Sequence, residues 1–344
     1  MPPIWRQAGG HTSKTPRHFH IGKNIPAGGI ESFWAVRNDD AMPKAAVIHI
    51  YLPDQMRRDA VAGQVNIVNR IAAAVAPNGF RLQIHSQTNS EMAKAAARGG
   101  PALFHMVEPV TPTGLTLRRA YHYPFWQIEA TAARGAFDVA RAVFDAAEID
   151  PVMAKSFHSR LRARVLGSEN ISQGNYVFMP LQGLLRQHRS FQAMSPIHMI
   201  EATLEQEPRL PILATLHPKE SYDPDELAAL TDLEQRFSRF RVAQGDALAL
   251  LRGCNYVVTQ NSGLALNGFL LRKPAVLFGQ VDFHHIAGSV PRLGVEAAFA
   301  QAKGDPPNFA AYVYWFFKRH TINAGAPEAE DQIRARLRRH SWLK

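Results

Sequence analysis

The stretch CNYVVTQNSGLALNGFLLRKPAVLFG, residues 254–279, decides how the chain is read. Its first part, NYVVTQ, is a short apolar run with paired valines, the pattern of a strand buried on both faces. The run stops at a polar patch, Gln260-Asn261-Ser262-Gly263. Apolar residues return at helical spacing in SGLALNGFLLR, and a second apolar run, PAVLFG, follows Lys273-Pro274. Strand, polar turn, helix and strand form the unit from which parallel α/β sheets are built. Ser262 stands where the helix starts, so the N–H groups of Gly263 and Leu264 lack intrahelical acceptors. The patch is either an ordinary helix cap or the seat of an anion, because such an end presents free donors and the positive pole of the helix dipole.

Working outward, the same alternation fills the second half of the chain. NYVFMPLQ (175–182) predicts a strand, PIHMIEATLEQE a helix, and PILATLHP a strand ending at His217-Pro218. Asp223-Pro224-Asp225-Glu226 has the cap, the proline and the acidic third position of a helix start. RFRVAQ predicts a strand, and DALALLRG a short helix capped by Asp246. The first half shows a second series. AAVIHIYL (45–52), FRLQIHS and ALFHMVEP predict strands; AVAGQVNIVNRIAAAVAPNG and EMAKAAARGG predict helices between them. GAFDVARAVFDAAEI and PVMAKSFHSRLRARVLG predict two further helices. Residues 1–44, rich in Gly, Pro and His, predict an irregular arm. The series breaks near residues 166–175. The expected organisation is the arm, a first Rossmann-like domain over 45–168, a second over 169–305, and closing helices over 306–344.

The 344 residues suit two domains, and 46% hydrophobic content supports full cores. The single cysteine excludes a disulfide framework and a cysteine-rich metal site. No apolar run reaches the length of a membrane span, and the N-terminus has no signal-peptide core, so a cytoplasmic protein is expected. The net charge of +10 points to anionic partners. The basic residues are scattered, without zinc-finger spacing or a ribonucleoprotein signature, so no specific nucleic-acid binding is expected. Acidic small molecules or the anionic inner face of the cytoplasmic membrane suit the charge. The basic helix within DQIRARLRRHSWLK has two readings: a face for anionic lipid, or an ordinary solvated end.

Ligands of open α/β sheets bind beyond the C-terminal strand ends. In the second half that rule selects Pro180-Leu181-Gln182, His217-Pro218-Lys219 and Gln260-Asn261-Ser262-Gly263. Their chemistry agrees. Ser262 and Gly263 open a helix, Gly263 admits a ligand close to the backbone, His217 donates a hydrogen bond and Lys219 adds charge. Together they suit a nucleotide phosphate.

At this point YVFMPLQ, SPIHMIEATLEQ, ATLHPKE, VVTQNSGLALNGFLLRKPAVLFG and VDFHHIAG resemble the capsule polysaccharide biosynthesis family, which includes the Kdo transferases of capsule assembly. The resemblance covers about residues 175–290. It implies a GT-B fold, two Rossmann-like domains with parallel sheets facing a central cleft, and a second domain that holds a CMP-activated acidic sugar. It further implies that His217 and Pro218 are a His-Pro motif and Ser262 the first residue of a Ser-Ser or Ser-Thr motif contacting the cytidine nucleotide. Three positions depart from the pattern. Gly263 replaces the second hydroxyl residue, Asn267 a glutamate and Phe283 a tyrosine. A hydrogen bond from a hydroxyl to a charged group is worth about 1.5–3 kcal/mol.

The expected donor-binding set is therefore Gln182, His217, Pro218, Lys219, Asn261, Ser262, Gly263 and Asn267, with a CMP-sugar as substrate and no resident cofactor. The acceptor is expected to be a glycan or glycolipid. Asp54, after the first strand, is the candidate base, with His217 as its catalytic partner; His105 and Glu108 lie at another strand end. His49 reads as core. The aromatic run YHYPFWQIE (121–129) suits packing between domains or stacking on sugars. DFHH (282–285) lacks the spacing of a metal site. Two rivals remain open: a non-catalytic nucleotide- or carbohydrate-binding relative, and a transferase of this fold using another nucleotide sugar.

Overall fold

The apolar runs of the second half assemble into one sheet. The computed structural model describes residues 46–167, 172 and 174–344; the arm expected over 1–44 lies outside the described residues. Six strands, β6 (Val177–Pro180), β7 (Ile212–Thr215), β8 (Phe240–Val242), β9 (Tyr256–Thr259), β10 (Ala275–Leu277) and β11 (Gly288–Ser289), form this second sheet. Its order is β11-β10-β9-β6-β7-β8, and every neighbouring pair is parallel. Numbered from its own first strand this is 3-2-1-4-5-6, the Rossmann order. Alternate residues face opposite sides of a strand, and both sides are covered. Val177 and Met179 pack with Met199, Ile200 and Leu204 of the helix Pro196–Gln206, and with Leu230 and Leu233 of the helix Pro224–Arg236. Phe178 and Val257 pack on the other side with Leu266 and Phe269. Each such buried side chain contributes about 1.5–3 kcal/mol, which is why these strands read as continuous apolar runs.

The first sheet is mixed. It comprises β1 (Ala46–Leu52), β2 (Phe80–Ser86), β3 (Ala102–His105), β4 (Leu115–Arg119), β5 (Phe125–Glu129) and, from the far end of the chain, β12 (Ile322–Asn323), in the order β12-β5-β4-β3-β1-β2. The four strands β2, β1, β3 and β4 are parallel; β5 runs antiparallel to β4, and β12 antiparallel to β5. Two Rossmann-like α/β sheets give the expected GT-B-like architecture, with an antiparallel edge on the first.

Several expected elements change. LTLRR forms β4, and FWQIE, within the aromatic run, forms β5. The single helix expected from GAFDVARAVFDAAEI is broken into turns at Arg134–Ala136 and Ala146–Glu148 around a short helix, Asp138–Arg141. The cause is tertiary. Glu129 accepts the Asp138 N–H, Gly135 lies against Gln280 of the second domain, and the Ala142 carbonyl accepts from His285. The helix Pro151–Leu166 buries Ala154, Leu161 and Leu166 in the same cluster as Phe269 and Phe309. The closing segment over 306–344 contains the helix Phe309–Tyr314 and its continuation Trp315–Arg319. The chain then adds β12 to the first sheet, and the helix Ala329–Arg339 packs Ile333 and Leu337 with Val68 and Ile71. No helix among the described residues is long and apolar enough to cross a membrane.

Candidate functional site

The sheet order places three of the expected ligand-binding turns side by side. β9, β6 and β7 are consecutive neighbours, and β6–β9 is the point where chain progression reverses, the crevice where such sheets bind ligands. The Thr259 hydroxyl donates to the Pro180 carbonyl at 2.9 Å, and the Leu181 N–H donates to the Thr215 carbonyl at 2.9 Å. Gln182, half-buried, thus lies between the turn at 260–263 and the turn at 217–219.

In the β7 turn, the His217 N–H donates to the Tyr222 hydroxyl at 2.8 Å, and the Lys219 N–H donates to His217 Nδ1 at 3.3 Å. With Nδ1 accepting, Nε2 is the ring nitrogen left to donate. His217, Pro218 and Lys219 are exposed. At the β9 turn, Ser262 caps the helix Gly263–Leu270, its hydroxyl accepting from the Leu264 N–H at 3.3 Å. The cap reading of the polar patch is thus met by Ser262, and the capped helix end lies at the C-terminal tip of β9.

The loop after β6 roofs this turn. The Met194 carbonyl accepts from Gln260 Nε2, and Gln192 bridges to Gly279 beyond β10. Arg189 on that loop lies over the Phe191 ring, 4.9 Å from its centroid. Its Nε and one terminal nitrogen are buried without a hydrogen bond. Burial lowers the pKa of Arg189 and Glu220 opposes that. Arg189 is thus a half-buried guanidinium with two nitrogens lacking a hydrogen bond, near Glu220 and stacked on Phe191. A single arginine in a loop carries no sequence signal that could have singled it out.

The first domain meets the second through Tyr121, of the aromatic run read for packing between domains, and through Arg134, which the sequence did not single out. Tyr121, in the turn between β4 and β5, has a left-handed φ of 64°, a conformation that costs a bulky residue on the order of 1–3 kcal/mol. Its ring lies against Gly263, so that a Cβ there would stand 3.2 Å from Tyr121 Cδ1. Its hydroxyl donates to Asp282 and accepts from Arg134 at 2.7 Å, while Arg134 also donates to the Asn261 carbonyl at 3.0 Å. The phenol pKa is raised by burial, and burial likewise raises the Asp282 carboxyl, with Arg134 opposing both shifts. Arg118, at the end of β4, has its pKa lowered by burial and by Arg134. Two arginines thus face one carboxylate at the seam. A side chain at position 263 would press on the Tyr121 ring, which would have to give by a few tenths of an ångström.

The remaining expected residues are dispersed. Asn267 faces His122 of the first domain rather than the strand tips; Asn267 Oδ1 and His122 Nε2 are both buried without a geometric hydrogen bond, yet Asn267 partly offsets the burial that holds His122 near 4. Phe283 packs edge-on against Tyr121 at 5.2 Å. Asp54 is exposed at the C-terminal end of β1, accepts from the Ser86 hydroxyl, and faces Arg57 at 3.9 Å. It lies on the β1–β2 side of its sheet, whereas the contacts described with the second domain come from the β4–β5 turn and the segment after β5. Glu108 accepts from Thr131 and Ala132. His49 pairs with His85 at 2.9 Å in the core. The two histidines of DFHH are engaged by Val281, Arg292, Tyr312 and Ala142.

No family model matches the chain, and no curated protein matches it. Among solved structures it is similar to KpsC of Thermosulfurimonas dismutans. The β-Kdo 2,7 transferase is 12% identical over 84% of this chain and 98% of that one, with a TM-score of 0.46. The β-Kdo 2,4 transferase is 11% identical over 79% and 90%, at 0.43. The UDP-GlcNAc 2-epimerase of Neisseria meningitidis, bound to UDP-GlcNAc, is 10% identical over 86% and 100%, at 0.29. Likeness at this level assigns neither activity nor substrate to this chain.

Proposed function

We propose that this protein is a GT-B-type glycosyltransferase of the capsule or surface-polysaccharide kind, transferring an acidic sugar from a CMP-activated donor to a glycan or glycolipid acceptor. One observation carries the reading: Gln182, His217-Pro218-Lys219 and Asn261-Ser262-Gly263 stand on three adjacent strand tips at the switch point of a Rossmann-ordered sheet. In this scheme the Ser262-capped helix end and Lys219 hold the donor phosphate. His217 Nε2 donates to the phosphate oxygen on which charge develops as the sugar leaves. Asp54 removes the proton of the acceptor hydroxyl. The scheme uses no resident cofactor.

A second reading, a nucleotide- or carbohydrate-binding relative without transferase activity, has one observation in its favour. The flank of the helix Gly263–Leu270 that carries Gly263 and Asn267 is occupied by Tyr121 and His122 of the first domain.

Thermal unfolding with CMP, CDP, UDP and GDP separates the possibilities. A ligand at a hundredfold excess over its Kd stabilises the folded state by about 2.7 kcal/mol. CMP is expected to raise the melting temperature most, and His217→Ala to reduce that shift. A shift from UDP or GDP alone would reassign the donor, and no shift from any nucleotide would sink the proposal. Release of CMP from a CMP-sugar on addition of acceptor distinguishes the transferase from the binding relative.

A further inference from the structure

A cavity of about 440 Å³ opens where the returning C-terminal segment meets the first sheet, and its lining includes Asp138, Arg141, Arg319, His320, Arg336 and Arg339. It shares no residue with the strand tips of the second sheet. Four guanidinium groups from three separate segments converge on it. Arg336 forms the floor, 7% exposed, and donates to the His320 carbonyl at 2.7 Å. Arg141 and Arg339 stand at the rim, with more than half of each side chain exposed.

The carboxylates present do not balance these cations. Asp138 serves three arginines: Arg339 in a short contact, and Arg336 and Arg141 each at 3.3 Å. Arg319 turns to Glu148 at 3.3 Å. Behind Arg336, at 3.7 Å, lies Glu129, whose burial pushes its carboxyl up to about 7. His320 is held near 4 by burial and by Arg336, Arg339 and Arg319; at neutral pH it is uncharged. The cavity is thus electropositive, floored by a desolvated guanidinium, rimmed by exposed donors and several times larger than a water site.

We infer that this cavity is an oxyanion site that takes a phosphate group carried on a larger molecule, held by Arg141 and Arg339 at the rim over the buried Arg336. Guanidinium forks match phosphate oxygens in geometry and charge. The volume leaves room for the group that bears the phosphate, either a small soluble phosphomonoester or the headgroup of an anionic lipid. The inference stands independently of the proposed activity.

The test measures the full chain with glycerol 3-phosphate at matched ionic strength, and with phosphatidylcholine vesicles with and without phosphatidic acid. Glycerol 3-phosphate, the vesicles containing phosphatidic acid, or both are expected to bind. Arg141→Ala combined with Arg339→Ala, at exposed rim positions, should weaken that binding at least tenfold, while Arg334→Ala, outside the cavity, should leave it unchanged. Asp138→Asn removes the resident carboxylate and should tighten binding several-fold; a purely structural ion-pair network would show lower stability in this variant with no gain in anion affinity. Binding to soluble phosphomonoester alone, or to vesicles alone, identifies the source. Absence of both, or binding that survives the double substitution, overturns the inference.

Discussion

Gly263→Ala is the substitution with the most definite consequence. A Cβ at this position would stand 3.2 Å from Tyr121 Cδ1 and 3.6 Å from Cε1, the first below the 3.5–4.0 Å at which carbon atoms attract. The ring must retreat by a few tenths of an ångström, and it is held on several sides. Phe283 lies edge-on at 5.2 Å, Phe316 at 6.1 Å, and the hydroxyl is tied to Asp282 and Arg134. Overpacking of this kind costs about 1–3 kcal/mol. Alanine in a helix gains up to about 1 kcal/mol over glycine, so the net expectation is a loss of up to about 2 kcal/mol. In a Tyr121→Ala background the clash is gone and only the gain remains, so the sign should reverse. Urea unfolding of the parent, both single variants and the double variant gives the coupling, expected at about 1–3 kcal/mol. A Gly263→Ala effect that is equal in both backgrounds would refute the claim that a side chain at position 263 presses on Tyr121.

Two further outcomes follow from packing and burial. Gly288→Ala would place a Cβ 1.9 Å from the Ala298 carbonyl oxygen, forcing β11 and the helix Val295–Lys303 apart; a loss of about 3 kcal/mol or more is expected, read as a lower unfolding midpoint. Burial, reinforced by neighbouring positive charge, holds His85, His105, His122 and His320 near 4 and His285 near 3. Their folded-state pKa values lie below the ordinary 6.5, so the stability they contribute is present above pH 6.5 and is lost as pH falls toward 4. Melting temperature should fall steeply across that window, and less steeply in His285→Gln; equal slopes in the two proteins would contradict the burial argument.

Legibility differed between the two halves for physical reasons. In the second half each strand is buried on both faces and so reads as an apolar run, and Ser195, Asp223, Asp246 and Ser262 all cap helices. Local signals and tertiary structure agree there, and the strand tips were found. In the first half β4 is a five-residue segment ending in two arginines, and β5 is hidden in an aromatic run. Contacts to Gln280, His285 and Glu129 break what periodicity shows as one helix over 135–149. The basic terminal helix buries Arg336 against Glu129 and Asp138 and leaves Arg338 and Arg339 exposed, a division its charge pattern did not reveal. The cluster of Tyr121, Arg134 and Asp282 joins a turn of one domain to the turn between β10 and β11 of the other, 161 residues apart in the case of Tyr121 and Asp282. No local pattern marks such a pairing. The departure at position 263 was visible in the sequence, but the Tyr121 ring beside it was visible only in space.

The central claim is that the strand tips at 182, 217–219 and 261–263 form one nucleotide site. A crystal structure of the protein with CMP tests it most directly. The account predicts the phosphate at the N-terminus of the helix Gly263–Leu270, within hydrogen-bonding distance of Ser262 and His217. A nucleotide bound elsewhere, with these turns empty, would contradict it.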